Sequence, residues 1–444
     1  MRGYPKYKDS GVYWIGAIPD EWKIKKIKHT TYVKGRIGWK GLKPEEFQEN
    51  SDAYLVTGTD FKNGLIDWNN CYQIDQKRYD EDPFIQLQEN DLLITKDGTI
   101  GKVALVKNLK GYATLNSGIF VIRPIAHYLT NFMYWILNSG VFFGFISFHG
   151  TGTTIKHLYQ NVFEVFQFTT PPIQEQQKIA AYLNHKTTLI DTLIEKKKRR
   201  IDLLKEERTA VINQAVTKGL DPNVQFKDSG IEWLGKIPVH WDLKRLKYLS
   251  DIRYGLSIPP KQKVDGIPII RATNIMRGKI LSDNLMRVDP EDVPYDRNPI
   301  LKKNEIIVVR SGAYTADSAI VTQEYAETII GYDLVLSVRN STPEFIAYTL
   351  LSNYVLLNQL YLHRLRAAQP HLNAEELGDS IIIVPPKFNE QMKIVQHIKK
   401  KISRIDTHIT KTQNQIDLLQ EYRTALISEV VTGKIDVRDW EEAE

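Results

Sequence analysis

The sequence predicts an α+β protein made by internal duplication, in which two globular halves are joined by two long helices that form an antiparallel coiled coil. The helical segment Ile201–Ile212 repeats as Ile416–Ile427 with nine identical residues in twelve. The segment Tyr7–Trp22 repeats as Phe226–Trp241 with nine identical residues in sixteen. The helical repeats lie 215 residues apart, a period that indicates a duplicated domain with pseudo-two-fold symmetry rather than a solenoid.

The composition is that of an ordinary globular protein, with 444 residues, 42% hydrophobic and 25% charged. The formal net charge of +6 favours an acidic partner such as nucleic acid. The single cysteine, Cys71, excludes a disulfide framework and a cysteine-based zinc site. No stretch approaches the ~20 apolar residues of a membrane span, and the first residues do not resemble a signal peptide, so we expect a cytoplasmic protein.

Short apolar runs bounded by turn residues predict strands in both halves. Residues 90–98 (NDLLITKDG) match residues 304–312 (NEIIVVRSG), and each run predicts a buried strand that enters a glycine-bearing loop with a cation at its mouth. The segments Phe163–Phe168 and Ser380–Val384 predict a last strand before each Pro-Pro pair. The spacing of three between Leu243, Leu246 and Leu249 predicts a short helix.

Tryptophans also recur between the halves, since Trp14 and Trp22 are matched by Trp233 and Trp241. Tryptophan can stack on bases. Because these positions are flanked by turns in both copies, we interpret them as core anchors.

The two long helices carry an apolar stripe with the alternating four-three spacing of a coiled coil, interrupted by polar residues near the middle. We expect the two stripes to pack against each other in antiparallel orientation, because the intervening half must carry the chain back. The expected seam residues are Ile190, Ile194, Ile201, Leu204, Val211, Ile405, Ile409, Ile416, Leu419 and Leu426.

No constellation for catalysis is found in the sequence. Residues 98–102 (GTIGK) are too short for a phosphate-binding loop. His149 and His157 have the same spacing of eight as His363 and His371, but the flanking residues agree poorly. We therefore interpret this recurrence as coincidence and expect no metal site. A stand-alone methyltransferase or nuclease is correspondingly disfavoured.

The combination of motifs resembles the specificity subunits of type I restriction-modification systems. Both halves open with KDSG…W.G.IP..W, both hinges carry PP..EQ..I (Pro171–Ile179 and Pro385–Ile394), and both helices end in LL.E.R.A.I followed by V.TG or V.TKG. The resemblance covers essentially the whole chain. It departs in the second hinge, where one extra residue should shift only the start of the helix.

This resemblance implies two target-recognition domains, each of which binds one half of a split double-stranded DNA sequence. The paired helices would be a spacer of fixed length and the docking site for two modification subunits, which bind S-adenosylmethionine and methylate adenine. Restriction subunits would supply ATP- and Mg-dependent translocation and cleavage. The chain itself would bind no cofactor or metal and catalyse no reaction.

The expected domain limits are residues 1–170 for target-recognition domain 1, 171–219 for spacer helix 1, 220–384 for target-recognition domain 2, 385–436 for spacer helix 2 and 437–444 for a tail. The remaining alternative is a coiled-coil scaffold without DNA recognition, in which the globular halves would have no role.

Base recognition needs polar or cationic side chains on loops that face a DNA groove. We expect such residues at the glycine-bearing loops of both halves. The candidates are Lys34, Arg36, Lys40, Lys96, Lys102, Arg253, Lys261, Lys263, Arg271, Arg310 and Tyr314.

Overall fold

The structure is a computed structural model that describes residues 3–36, 41–149, 157–364 and 371–441. It confirms the α+β fold and the duplication. The chain divides into two compact units, unit 1 (Met1–Lys197 and Asn414–Glu444) and unit 2 (Lys198–Gln413). Each unit thus contains the beginning of one long helix and the end of the other. The domain limits given above are drawn along the chain and stay a prediction.

The described strands of the first half lie in the following order: β1 (Tyr7–Asp9), β2 (Ala17–Pro19), β3 (Lys23–Lys26), β4 (Thr31–Gly35), β5 (Ala53–Val56), β6 (Phe61–Lys62), β7 (Leu65–Ile66), β8 (Tyr72–Ile74), β9 (Leu92–Thr95), β10 (Val103–Leu105), β11 (Tyr112–Leu115), β12 (Ile119–Pro124) and β13 (Gln167–Thr170). The helices of this half are α1 (Ile27–Thr30), α2 (Gln76–Asp80), α3 (Thr130–Leu137), α4 (Gly140–His149), α5 (Gln160–Glu164) and the long α6 (Ile173–Lys218).

The second half follows the same order with the strands β14 (Phe226–Asp228), β15 (Lys236–Pro238), β16 (Asp242–Arg245), β17 (Ser250–Tyr254), β18 (Gln262–Ile270), β19 (Ile275–Met276), β20 (Lys279–Ile280), β21 (Met286–Val288), β22 (Ile306–Val308), β23 (Ser318–Ile320), β24 (Ile329–Ile330), β25 (Leu334–Val338) and β26 (Ile381–Val384). Its helices are α7 (Pro343–Leu350), α8 (Asn353–Val355), α9 (Tyr361–Arg364), α10 (Ala374–Gly378) and the long α11 (Phe388–Val431), and a π-helical turn at Leu356–Leu360 joins α8 to α9.

The main sheet has the same strand order in both units. In unit 1 the order begins β4-β12-β9-β10 and continues to β7 and β6, and in unit 2 it is β17-β25-β22-β23. A three-stranded sheet, β11-β5-β8 or β24-β18-β21, accompanies each main sheet. Every residue of β9 and of β22 is buried, as their apolar sequences require. The duplication in the sequence is therefore a duplication of topology.

The hinge motif, a Pro-Pro pair followed a few residues later by Glu-Gln, has a structural explanation in each unit. Trp22 donates its indole N–H to the Glu175 carboxylate over 3.2 Å, and Trp241 does the same to Glu390 over 2.9 Å. The following glutamine, Gln176, donates to the Pro171 carbonyl over 2.9 Å and accepts from a backbone N–H. Because these contacts fasten the first turn of each long helix to the opening segment, the motif sets the position of the helix on its unit.

The ends of the long helices meet the same tryptophans. Gly433 follows α11 with φ of +73°, and a Cβ atom built there would lie 3.1 Å from the Trp22 ring. Gly219 follows α6 with the same φ and approaches the Trp241 ring. A left-handed residue that ends a helix favours glycine, and the close ring excludes a side chain. This explains the glycine of the two V.TG and V.TKG endings.

The two long helices run antiparallel within each unit, as predicted. In unit 1, Lys197 donates to Gln415 over 2.7 Å and Asp191 pairs with Arg423 at 2.9 Å, so positions rise along one helix as they fall along the other. In unit 2, Arg208 approaches Asp406, while Gly219 and Glu390 both lie against Trp241. With 46 and 44 residues, the helices are ~70 Å long.

All the predicted seam residues are buried or half-buried. Their direct packing against each other along the seam stays a prediction. The buried ones are Ile190, Ile194, Ile201, Ile405, Ile416 and Leu426, and the half-buried ones are Leu204, Val211, Ile409 and Leu419.

Two local predictions need correction. Gln160–Glu164 forms α5, so the last strand of the first half begins only at Gln167 and does not span Phe163–Phe168. Leu243 lies on strand β16, and the expected short helix is a single 3-10 turn at Leu246–Tyr248. Leu243 is the half-buried residue of β16, and the pairing of this strand with β26 overrides the helical spacing there.

The tryptophans differ in burial. Trp22 and Trp241 are fully buried core anchors, as expected. Trp14 is half-buried against Phe145 and Phe148, whereas Trp233 is 42% exposed. The core role therefore holds for the second tryptophan of each pair.

Within the described ranges, no single helix is long and apolar enough to cross a membrane, and the bent pair formed by α3 and α4 reaches that composition only when its two helices are taken together.

Candidate nucleic-acid interface

The same end of each main sheet carries the strongest concentration of predicted site residues. In unit 1, strand β4 ends opposite Phe120, and strand β9 ends opposite Ile119, so the end of β9 and the start of β12 share one edge. In unit 2, Tyr254 at the end of β17 and Val308 at the end of β22 both pair with Leu334. We name these edges the Lys96 end and the Arg310 end after two cations. Lys96 directly follows β9, and Arg310 is the second residue after β22.

Lys96 is half-buried at its sheet end. Its ammonium lies 4.9 Å from the centroid of the Phe120 ring, and its backbone N–H donates to Gly118 over 2.8 Å. Burial lowers the pKa of Lys96, against the opposing effect of the neighbouring Asp97 carboxylate. A cation held above an aromatic face keeps its charge and can still donate to an incoming acceptor.

Arg310 lies over two tyrosine rings at the corresponding place. Its guanidinium carbon is 4.6 Å from the centroid of Tyr254 and 4.5 Å from that of Tyr332. We name these three residues the Arg310 clamp. Among the described residues, the buried Nε of Arg310 has no hydrogen-bond partner. The Asp333 carboxylate accepts from the backbone N–H of Arg310 over 3.0 Å, and it interacts with the Arg310 side chain through charge.

The Asp333 carboxyl is itself buried behind the clamp. Burial raises its pKa to about 6, although the Arg310 backbone N–H and the Arg310 charge act in the opposite direction. Its second oxygen is a buried atom without a partner in the described part of the chain. A buried carboxyl with one unpaired oxygen favours the protonated form.

A repeated backbone contact supports both sheet ends. His157 bridges to Asp97 and His371 bridges to Ser311, each pair being 214 positions from its counterpart. The next residue, Leu158 or Leu372, is buried and donates its N–H to the carbonyl of Lys96 or Arg310, over 2.7 Å and 2.8 Å. The recurrence of His157 and His371 is thus structural, and its interpretation as coincidence was wrong.

That contact was missed because it joins residues sixty positions apart, and the flanking residues that would have aligned them are dissimilar. The signal for it in the sequence was the equal spacing of eight residues in the two histidine pairs. His149 and His363 do not share an environment, since His149 contacts Trp14 and Phe145, whereas His363 lies 3.3 Å from Glu376. Only one histidine of each pair is equivalent.

Two of the predicted arginines are structural. Arg36 is 1% exposed, and its Nε donates to the Leu115 carbonyl over 2.8 Å, so it does not present its charge to a ligand. Arg253 pairs through both terminal nitrogens with the Glu305 carboxylate, which is buried. Both are cations near a glycine-bearing loop, and a position near such a loop does not show the direction of the side chain.

The remaining candidates of unit 1 are two exposed lysines, Lys34 on β4 and Lys102 just before β10. Lys40 lies outside the described residues. In unit 2, Lys261 is exposed, Tyr314 is 44% exposed, and Lys263 is exposed and pairs with Asp289 at 3.0 Å.

Arg271 lies beside the Arg310 clamp. It is half-buried, and its Cγ is 3.4 Å from the position of a Cβ built on Gly331, the residue before Tyr332. Its Nε is another buried donor for which the described part of the chain provides no partner. It stays a candidate for DNA contact together with the exposed residues.

In the residues that the structure describes, no group of three or more His, Cys, Asp or Glu side chains is arranged to hold a metal ion. What the two sheet ends offer is therefore cationic and aromatic chemistry: positive charge for phosphates, and planar donors for base edges.

Comparison with known proteins gives the same family over most of the chain. The profile of the type I restriction modification DNA specificity domain matches twice, at residues 19–203 and 238–418. The MjaIX type I restriction enzyme specificity subunit of Methanocaldococcus jannaschii is 24% identical over 439 residues, covering 96% of both chains. The EcoKI specificity subunit of Escherichia coli is 18% identical over 432 residues, covering 95% of this chain and 90% of its own.

Solved structures share the fold. A chain from a study of complex assembly and conformational transition of the type I R-M system superposes with a TM-score of 0.71 at 14% identity, covering 94% of this chain and 99% of that one. The HsdS subunit of Thermoanaerobacter tengcongensis superposes with a TM-score of 0.50 at 14% identity, covering 94% and 98%.

Proposed function

The chain belongs to the type I restriction modification DNA specificity family, and we propose from that premise that it recognises a bipartite double-stranded DNA target with one half-site for each unit. It acts as the specificity subunit of a type I restriction-modification complex and leaves catalysis to other subunits. This role accounts for the duplicated architecture, because a split target needs two readers at a fixed separation.

The observation that carries the proposal is the pair of sheet ends. Both units place a cation over an aromatic ring just past the end of their central strand, and both support it with the same backbone contact. The side chains around the two cations differ, which suits half-sites of different sequence. A scaffold protein would have no reason to keep two such ends.

The partners in finer detail belong to the same proposal. We propose that the antiparallel helices dock two modification subunits, which bind S-adenosylmethionine and methylate adenine, and that restriction subunits supply the steps that need ATP and Mg. The complex would act on double-stranded DNA in the cytoplasm. The length of the helices supports a spacer role, because ~70 Å equals about two turns of DNA.

The test is selection of bound duplexes from a randomised DNA library by the purified complex of this chain with its modification subunits. We expect enrichment of two short specified blocks separated by an unspecified gap of constant length. We also expect affinity to fall steeply with salt, since phosphate contacts release counterions. Recovery of no sequence, with binding that does not depend on salt, would contradict the proposal and favour the scaffold alternative.

A further inference from the structure

The geometry of the Arg310 clamp points to a base-specific role, and we propose that unit 2 recognises a guanine through the Arg310 guanidinium. This inference rests on the proposed function and adds the kind of base that one half-site must contain. It goes beyond a general contact with DNA, because the clamp fixes a planar group whose donors match one base and not the others.

The clamp holds its cation through aromatic contacts. Two tyrosine rings within 4.6 Å orient the guanidinium without offering a negative charge. Arg253 shows the opposite arrangement nearby, because both of its terminal nitrogens are occupied by Glu305. Aromatic contact restricts the rotation of an arginine side chain and leaves its outer N–H groups available for a ligand.

The backbone behind the clamp holds it in place. Arg310 donates its backbone N–H to the buried Asp333 and accepts through its carbonyl from Leu372 over 2.8 Å. Tyr254 is held as well, since its hydroxyl accepts the backbone N–H of Ala374 over 3.1 Å. Both the arginine and one of its rings are thus fixed by hydrogen bonds to other segments of unit 2, which preorganises the guanidinium before DNA binds.

The clamp is also accessible. Tyr254 is 45% exposed and Tyr332 is 40% exposed, so the clamp opens to solvent at the end of the sheet. Tyr314, on the loop that follows Arg310, is exposed at the same end and can contact the neighbouring backbone or base. The clamp is therefore a surface feature that DNA can reach.

The guanidinium matches the acceptors of one base. In the major groove, guanine presents O6 and N7 as two adjacent acceptors, and the arginine fork donates to both at once. Adenine presents one acceptor and one donor there, and an arginine cannot satisfy the donor. Among the described residues, Asp333 accepts from the backbone N–H of Arg310 and is not hydrogen-bonded to its guanidinium. A fork with fixed orientation therefore selects guanine.

The equivalent positions of unit 1, which all lie in the described part of the chain, do not form such a clamp. The position of Tyr254 is Gly35 and the position of Tyr332 is Gly118, while Lys96 replaces Arg310. An ammonium is a point charge without a planar fork, so it discriminates less between acceptors. The guanine that depends on a clamped arginine should therefore occur in one block of the target only.

The experiment uses the full complex and the target found by selection. Each guanine of the target is replaced in turn by 7-deazaguanine, which lacks N7, or by inosine, which keeps both O6 and N7. We expect one position in one block where 7-deazaguanine weakens binding about 10- to 100-fold, whereas inosine at that position changes binding less than about threefold.

Arg310→Ala should weaken binding to the unmodified target by a similar factor and then show no further loss with 7-deazaguanine at that position, which is the signature of a direct contact. Arg310→Lys keeps the charge and should also lose most of the discrimination. Arg339→Ala is the matched control, because Arg339 lies just beyond the opposite end of β25 and pairs with Asp251 at 2.8 Å. It should leave both measurements unchanged.

Tyr332→Ala separates orientation from charge. It should lower discrimination at the sensitive guanine several-fold while the dependence of affinity on salt stays the same, because no phosphate contact is lost.

A target without guanine in either block, or an Arg310→Ala complex that remains as sensitive to 7-deazaguanine as the unaltered one, would overturn the inference and leave the proposed function standing. A wild-type complex that selects no sequence would overturn both.

Discussion

The Lys96 end and the Arg310 end occupy the same place in two copies of one sheet, and three substitutions make them different. Lysine is exchanged for arginine, Gly35 for Tyr254 and Gly118 for Tyr332. In unit 1 the lysine rests on Phe120, which itself needs the space above Gly35. In unit 2 tyrosines fill that space and hold an arginine. One backbone thus presents two chemistries, which is what recognition of two different half-sites requires.

A second difference lies behind the surface. Each unit buries a carboxylate before its central strand, Asp91 in unit 1 and Glu305 in unit 2. Asp91 is paired with Arg123 of β12 at 2.6 Å, whereas Glu305 is paired with Arg253 of β17. The position of Arg253 is Lys34 in unit 1, which is exposed. Because the neutralising arginine comes from different strands, the same position holds a structural arginine in unit 2 and an exposed lysine in unit 1.

The largest expected effects come from removing these internal arginines. Arg123→Ala and Arg253→Ala should each destabilise their own unit by about 3–5 kcal/mol, because a buried carboxylate is left without its partner. Amide hydrogen exchange measures this separately for each unit through β9 and β22. Lys34→Ala is the control at the position equivalent to Arg253, and it should change the protection of β9 very little. Equal losses in Lys34→Ala and Arg253→Ala would show that the two positions play the same role.

A smaller effect is expected from the glycines that distinguish the two ends. A Cβ at Gly35 would lie 2.8 Å from the Phe120 ring and 2.9 Å from the Ile119 carbonyl, so Gly35→Ala should cost about 1–3 kcal/mol in unit 1. At Gly118 the nearest atom, Asp97 Cβ, is 3.6 Å away, and Gly118→Ala should be tolerated. Thermal unfolding of the two variants provides the comparison. A Gly35→Ala protein as stable as Gly118→Ala would mean that Phe120 can move, and that the absence of tyrosine from this end has another cause.

The smallest effect concerns the carboxyl behind the clamp, which unit 1 replaces with Ile119. The pKa of Asp333 is raised to about 6 by burial, so the folded chain binds a proton that the unfolded chain has already released. Stability from this group is therefore present at low pH and is lost as the pH rises through about 6. Between pH 5 and 7 the free energy of unfolding should fall by about 1 kcal/mol.

Asp333→Asn should remove that part of the pH dependence, which is measured as the difference between variant and wild type in the protection of β22 across this pH range. The protection of β9 in unit 1 is the internal control and should respond equally to pH in both proteins. If the two proteins show parallel pH dependence at β22, then Asp333 is ionised throughout and the unpaired oxygen of this carboxyl is solvated.

Much of the architecture was predictable because it is local or repeated. The Pro-Pro pairs, the helical stripes and the two buried strands at Leu92–Thr95 and Ile306–Val308 follow from patterns within a few residues. Duplication strengthened each pattern by showing it twice. The boundary of the last strand of the first half was not predictable in this way. Residues 163–168 (FEVFQF) have the apolar residues of a strand, but Phe163 and Glu164 belong to helix α5, which packs against α1 and β4.

The candidate site was predictable in position and not in detail. The cation after each central strand could be identified because the strand and its loop are contiguous. The tyrosines of the clamp could not, because Tyr254, Arg310 and Tyr332 meet only through the register of three strands. The structural roles of Arg36 and Arg253 likewise depend on hydrogen-bond partners that lie 79 and 52 positions away in the sequence. The signal in the sequence was the alignment of the two halves, which places Tyr254 and Tyr332 opposite Gly35 and Gly118.

We propose that the two sheet ends recognise separate half-sites by different means. The most direct test is adenine-methylation mapping in cells that carry the gene as wild type, as Lys96→Ala or as Arg310→Ala, together with the partner genes. The account predicts one bipartite motif in the wild type, relaxation of one block in Arg310→Ala, and relaxation of only the other block in Lys96→Ala. Changes of both variants in the same block, or an unchanged motif in both, would contradict it.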